Sequence, residues 1–415
     1  MKRMQWKFMV PVFILSLILS ACGADSETKG EEESEEGDGK VNLQIAIEAT
    51  GDIPAEFQKQ VDRFNEQNDE NISVKIRTFS GGDSYNQALM GQVAGGVAPD
   101  IFLLDGGQRT KTFADSDAIL PLSELASNHN LDLNNFQDTL MEAFKVDEKL
   151  YAIPKDYNTT ALFYHKDLLK EAGVQPPKTW DELRSAAKKL TTEDRYGFGI
   201  NPQINYFLPF VESAGANVIT SSGLQNDALK SEEHQKALEY MSTLFNEDKT
   251  AASPQMVGAG WDGEMFANKK VAMLYAGSWV TGVLDENSNV GAVPLPVKDE
   301  KASMLYTAGW VISKKSENPE AAMKLIKFLS SDEELVKGNK AGLIGLPPTK
   351  SAMDKLVKEK KNDPFLDVYS NVVEYGTPFG WLNPKFVDEY NKKMEVLMYK
   401  PGEITPEEVA NQLAK

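Results

Sequence analysis

Val41, Leu43, Ile45 and Ile47 alternate with Asn42, Gln44 and Glu48, a period of two that predicts a β-strand at the start of the folded body. Pro54 opens a stretch with Phe57, Val61 and Phe64 at helical spacing, and Ile72, Val74 and Ile76 alternate again. Ser84–Ala94 reads as a second helix. After Gly95-Gly96 and Pro99, the apolar run Ile101–Leu104 reads as a short buried strand. Strand, helix, strand, helix, strand at this spacing predicts an α/β domain with a largely parallel sheet. Three later helices carry start signals. Thr179 to Glu182 has capping-box chemistry behind Pro176-Pro177, and Asn318-Pro319-Glu320 precedes Met323, Ile326 and Leu329. Thr405-Pro406-Glu407-Glu408 combines a cap, a first-turn proline and an acid at the third position. No internal repeat is visible, and the body, residues 41–415, is too long for one core, so two α/β lobes are the natural division.

Ahead of the first strand the pattern changes. Residues 1–7 carry Lys2, Arg3 and Lys7, and Phe8–Leu19 is an apolar run broken only by Pro11 and Ser16. That run is shorter than the roughly 18–20 residues a membrane-spanning helix needs, so it reads as the core of a signal peptide, residues 1–21. Leu19-Ser20-Ala21-Cys22 then resembles the lipobox of bacterial lipoproteins, in which the cysteine is acylated and the chain is cut just before it. Cys22 is the single cysteine of the chain, which excludes an internal disulfide framework and a four-cysteine zinc site. Gly23–Lys40 holds eight acids against Lys29 and Lys40 and nothing to bury, so residues 22–40 are expected to form an acidic, disordered tether.

Charge bears on partners. The formal net charge is −18, which argues against duplex nucleic acid and against electrostatic adhesion to an anionic membrane. Loss of Lys2, Arg3 and Lys7 with the signal peptide takes it to −21, of which −6 lies in the tether. The acidity therefore says more about where the protein is held than about its ligand.

Catalytic templates are mostly missing. His129, His165 and His234 stand in unrelated contexts, and no HExxH, GxSxG or GxxxxGK[ST] occurs. Gly258, Gly260 and Gly263 satisfy GxGxxG, but Ser253-Pro254 precedes them instead of a strand, and Trp261 interrupts the loop. No cofactor, metal or catalytic residue is assigned. The tryptophans are more telling. Trp180 sits in a capping box and is expected to pack structurally. Trp261, Trp279, Trp310 and Trp381 each lie at or near a glycine, with Asp262 beside the first. Glycine lets the backbone approach something closely, and an indole offers a flat apolar face and one donor. Such faces with carboxylates nearby suit sugar rings; equally, each indole can simply fill core space.

Several segments together resemble the extracellular solute-binding proteins of ABC importers, in the family that includes maltose-binding protein. Tyr151-Ala152-Ile153-Pro154, Leu162-Phe163-Tyr164-His165-Lys166-Asp167-Leu168 and Pro177-Lys178-Thr179-Trp180-Asp181-Glu182-Leu183 are the most characteristic. Pro99-Asp100-Ile101-Phe102, Phe266–Met273 running to Gly277-Ser278-Trp279, and Leu346-Pro347-Pro348 add to them. The resemblance implies an α/β, two-lobe, type II periplasmic-binding-protein-like fold with the ligand cleft between lobes joined by two or three crossovers. These are expected near Tyr151–Lys155, Val293–Lys301 and Ile344–Thr349. The lobes would be residues 41–150 with 302–345, and 151–301 with 346–415.

By matching position, ligand contacts are implied at Asp105, at Asp156, Tyr157 or Asn158, at Tyr206 and Trp279, which match stacking aromatics, and at Trp381. Glu48 and Thr50 end the first strand, another family contact point; Ala49-Thr50-Gly51-Asp52 departs from the family in offering no aromatic there. The function implied is a lipid-anchored, monomeric, non-enzymatic binding protein on the outer face of a bacterial cell membrane. It would capture a sugar or oligosaccharide by hinge closure and deliver it to the transmembrane subunits of an ABC permease. The alternatives are an organic anion or glycerophosphodiester in the same fold, a surface-anchored glycoside hydrolase, and a structural or adhesive lipoprotein.

Overall fold

The structure is a computed structural model that describes residues 40–49, 52–80, 83–220, 223–284, 288–343, 345–361, 363–380 and 382–414. Cys22, the leader, Thr50 and Trp381 lie outside the described residues. The first lobe opens as the hydrophobic pattern requires, with β1 Val41–Glu48, α1 Ala55–Gln67, β2 Ile72–Phe79, α2 Asp83–Ala94 and β3 Ile101–Asp105, and continues into a further helix, α3 Gln108–Asp115. β1 pairs in parallel with both neighbours, Val41 opposite Ile72 of β2 and Ile45 opposite Ile101 of β3. Ala46 is buried together with Leu43, Ile45 and Ile47, so the alternation is imperfect. That is the mark of a parallel strand covered on both faces.

Thr405 and Glu408 form a reciprocal capping box. Thr179 caps through its hydroxyl, with Glu182 reaching back to the Lys178 N–H. The helix Pro319–Leu329 has no side-chain cap from Asn318, whose place is marked by the first-turn proline alone.

Apolar side chains divide into two cores. One joins Leu43, Phe57, Phe102, Phe113, Ile153, Val311 and the helix Pro319–Leu329; the other runs from Tyr157 through Phe210, Tyr275 and Leu305 to Leu413. Leu335 and Val336 pack in the second core, ten residues before the division expected at 345/346. A single ten-stranded sheet nevertheless passes through both lobes. The continuity comes from two long strands, Ile153–His165 and Met304–Ile312, which pair antiparallel. From Ile153 to Thr159 the first pairs with the second; from Thr160 it pairs with Val271–Gly277 and then also with Val290–Val293. The pairing partner thus changes at Thr159/Thr160, while the side chains change core between Ile153 and Tyr157.

Pro154 marks something else. Gly309 faces Pro154 while Ala308 faces Asp156, so Lys155 is an extra, bulged residue, the setting in which a proline is tolerated inside a sheet. At the change of partner the hydroxyls of Thr159, Thr160, Ser303 and Tyr275 join in a buried hydrogen-bonded chain, with Thr160 to Tyr275 at 2.6 Å and both threonines to Ser303 at 3.0 Å. A third crossing is tied in by Leu346, which exchanges both backbone hydrogen bonds with Tyr157.

Candidate functional site

Strand alternation decides which hinge residues look into the cleft. Asn158 lies opposite Tyr306, Tyr157 opposite Thr307, and Asp156 opposite Ala308. Directly opposed residues share a face and successive ones alternate, so Asp156, Asn158, Tyr306 and Ala308 form one face and Tyr157 and Thr307 the other. The first set is partly exposed and the second buried. Tyr157 is wholly enclosed in the second core, its hydroxyl unpartnered and pushed above the usual phenol range by burial. It is a hinge core residue, and the expectation of a ligand contact there is corrected.

On the first lobe the cleft wall is acidic. Glu48 and Asp105 end the adjacent parallel strands β1 and β3, the carboxyl edge where open α/β sheets take ligands. Asp105 is ion-paired with Arg109 one turn into α3. Half of its side chain is open to solvent, yet the concave setting raises its pKa by desolvation; Glu48 and Asp156 push the same way and Arg109 opposes them. Asp156 is held in place by Lys155 Nζ at 2.5 Å and by the Gly345 N–H at 3.2 Å. Arg109 and Lys155 are thus both committed to carboxylates.

The second lobe supplies an aromatic wall. Tyr206, from the helix Ile204–Ser213, meets Trp279 edge-on at 6.5 Å between ring centres; Trp279 meets Tyr306 edge-on at 5.3 Å, and Tyr306 lies 5.8 Å from Phe379. Asn205 Nδ2 donates to the Tyr306 hydroxyl at 3.1 Å, and Ser278 Oγ donates to Asn158 Oδ1 at 3.0 Å. Trp261 and Trp279 are 36% and 38% exposed, among the few large apolar side chains open to solvent. Both indoles lie over glycine. A Cβ on Gly263 would fall 2.1–2.6 Å from ring carbons of Trp261, and one on Gly277 2.2–2.3 Å from those of Trp279. The bare glycine backbone is therefore a seat for each ring, and more than a third of each residue stays open to solvent. Asn158 and Trp279 also border an open cavity of about 550 Å³, lined as well by Asn339, Gly345 and Tyr369.

Asp262, next to Trp261, is 3% exposed. Burial raises its pKa, while the Tyr206 hydroxyl and the Gly263 N–H oppose that. Burial likewise pushes the Tyr206 hydroxyl far up, and the Asp262 charge adds to it.

Of the sequence candidates, Asn158, Tyr206, Asp262 and Trp279 come together here, with Trp261 at their edge, and Glu48, Asp105 and Asp156 face one another's charge. Trp310 does not belong. It is 2% exposed, stacked 6.0 Å from Phe57 in the first core, and is withdrawn from the site. Trp180 is buried and stacked on Tyr240 at 4.4 Å, as its capping position implied. Sequence reasoning missed Tyr306, Phe379 and Asn205. The available signals were slight: Tyr306 shares alternation parity with Ala308, and Phe379 stands two residues before Trp381.

The histidines lie elsewhere: His129 pairs with Glu320, His165 stacks on Phe266, and His234 bonds Leu229 and Tyr390 in the core. Among the described residues no group of three or more His, Cys, Asp or Glu is arranged to hold a metal ion.

Comparison with known proteins agrees with this architecture. The family model for bacterial extracellular solute-binding proteins matches residues 49–335. The arabinooligosaccharide-binding protein of Bacillus subtilis is 22% identical over 394 residues, covering 89% of this chain and 86% of the relative. Among solved structures, the sugar-binding protein MalE of Xanthomonas citri superposes with a TM-score of 0.77 at 22% identity, over 90% of this chain and 95% of that one. An ABC substrate-binding protein of Listeria monocytogenes in complex with cycloalternan gives 0.74 at 24% identity, over 90% and 97%. These likenesses establish the two-lobe fold.

Proposed function

This chain belongs to the bacterial extracellular solute-binding proteins, and from that premise we propose that it captures an oligosaccharide between its lobes and hands it to an ABC permease. The observation that carries the reading is the Trp279 platform. The indole is seated on Gly277, Tyr206 and Tyr306 meet it edge-on, and 38% of the residue stays open to solvent. An apolar face ringed by hydrogen-bonding groups matches a pyranose, which has a CH face and a hydroxyl rim. The acidic first wall accepts hydroxyl donors from the opposite side. Ligand contacts from both lobes favour the closed state over the open one, and the hinge strands carry the motion. An anionic solute finds poorer support, since Arg109 and Lys155 are already paired. Relatives are binding proteins, and no chemistry on the ligand is proposed.

A thermal-shift panel of arabino-, galacto- and malto-oligosaccharides tests this, because a ligand that binds only the folded state raises its melting temperature. At least one series should stabilise the protein; no shift across the panel would remove the carbohydrate reading. With the binding sugar, Trp279→Ala should weaken affinity by about 1–2 kcal/mol, roughly 5–30-fold; unchanged affinity would take Trp279 out of the site.

No helix among the described residues is long and apolar enough to cross a membrane. We infer that attachment runs through an acylated Cys22 and the acidic residues after it, two acyl chains being enough for stable anchoring. Cys22→Ser should release the protein to the medium, and membrane retention of that variant would contradict the anchor. The monomeric state and the lobe limits at 150/151 and 301/302 belong to the same proposal.

A further inference from the structure

Two glycines meet where the lobes touch. Gly107 follows β3 and is tied into the first lobe, its N–H donating to the Ala143 carbonyl at 2.7 Å. Gly380 follows the short strand Thr377–Pro378, which pairs with Met304 and Leu305 of the second core. Both hang from one strand: the Gly106 N–H donates to the Thr307 carbonyl at 3.2 Å, and the Phe379 N–H to that of Leu305 at 2.7 Å. Between Leu305 and Trp310 that strand passes from the second core to the first. A Cβ on Gly107 would stand 2.6 Å from the Gly380 Cα, and one on Gly380 3.4 Å from the Gly107 Cα and 3.6 Å from the Gln108 nitrogen. Gly107 has φ +74°, so its own backbone already asks for glycine. Gly380 has no left-handed backbone to explain it. The three heavy atoms nearest to a Cβ there are all main-chain atoms of the first lobe, which cannot swing aside as a side chain does.

We propose that Gly380 is a positioning residue for closure: because it carries no side chain, the second lobe settles onto Gly107 and Gln108, and the size of residue 380 sets how tightly a sugar is held. The inference rests on the carbohydrate reading above. A side chain at 380 meets first-lobe backbone only when the lobes are together, so it raises the free energy of the closed form and leaves the open one alone. Apparent affinity then falls with the closed fraction that is lost. Beside the contact lies a cavity of about 220 Å³, lined by Gly107 and Ala143 of the first lobe and by Ile219 and Leu382 of the second. A linear side chain has room to turn into it; valine, branched at Cβ, is held to fewer rotamers and is the sharper probe.

Titration calorimetry on the full chain tests this with whichever of arabinotriose, α-1,4-galactotriose and maltotriose binds the unaltered protein. Gly380→Val should weaken that sugar about 10–100-fold, the effect of overpacking a contact that cannot give, while Gly380→Ala should stay within about threefold. Without sugar, both variants should melt no lower than the unaltered protein, since replacing a glycine also restricts the unfolded chain. Unchanged affinity in Gly380→Val overturns the proposal and leaves the carbohydrate reading intact. A fall in the sugar-free melting temperature that accounts for the lost affinity overturns it too, because it places Gly380 in the packing of its own lobe. If Gly380→Val does not fold, hydrogen exchange on the unaltered protein decides. Residues 106–108 and 378–380 should both slow on adding the sugar, and no change in either segment overturns closure onto this contact. Binding of no carbohydrate removes both the inference and the reading it rests on.

Discussion

Trp310→Ala is expected to destabilise the protein by about 3–5 kcal/mol, the range for truncating a large aromatic in a well-packed core, and to leave the sugar affinity of the folded fraction unchanged. The indole is 2% exposed and stacked on Phe57 with ring planes 16° apart. Its strand neighbours are Ile153 on one side and Leu103 on the other, so the cavity would open at the centre of the sheet in the first lobe. Urea unfolding followed by far-ultraviolet circular dichroism measures the loss. Trp279→Ala provides the contrast, since an indole 38% exposed over a glycine contributes little to the core and should cost affinity before stability. If Trp310→Ala weakened sugar binding at full stability, the placement of Trp310 in the core would be wrong.

Glu212→Gln is expected to change how stability depends on pH. Glu212 sits in the same helix as Tyr206, is 6% exposed, and has an unpartnered Oε1. Burial pushes its carboxyl up to about 8, with the Thr377 hydroxyl opposing. In the unfolded chain a glutamate titrates near ~4.3. Between those two values the folded chain keeps a proton that the unfolded chain has released. Stability therefore falls as pH rises through the window, and levels off above it. Each pKa unit is worth about 1.4 kcal/mol, so the whole excursion is several kcal/mol. Glutamine stays neutral and removes the dependence. The variant should match the unaltered protein at pH ~4 and exceed it by a few kcal/mol at pH ~9. Denaturant midpoints across that range check it, and a difference that does not vary with pH would mean the carboxyl is solvated.

The same strand shows where sequence reading stops. Met304–Ile312 offers Tyr306 and Trp310, and the glycine beside Trp310 drew attention to the wrong one. The strand passes from one lobe's core to the cleft, so a single apolar stretch contains residues of both kinds. Asp156, Tyr157 and Asn158 make the same point. Period-two alternation requires the middle one to face away from the other two, but which face meets the cleft depends on Met304–Ile312, about 150 residues away in the chain. The aromatic at position 157 was attractive as a sugar contact and turned out to be the core side.

What the sequence determined by itself is local. Alternation, caps and turns set β1 to β3, α1, α2 and the helix capped by Thr405, because each depends on a few neighbouring residues and on water. The family pattern, spread over most of the chain, set the two-lobe plan. Only the tertiary structure decided which tryptophans are exposed, that Tyr306 and Phe379 join the platform, and that Asp262 is buried. Those properties belong to contacts between residues far apart in sequence, where burial is settled by what packs on a side chain from another lobe or strand. No period or spacing carries that information.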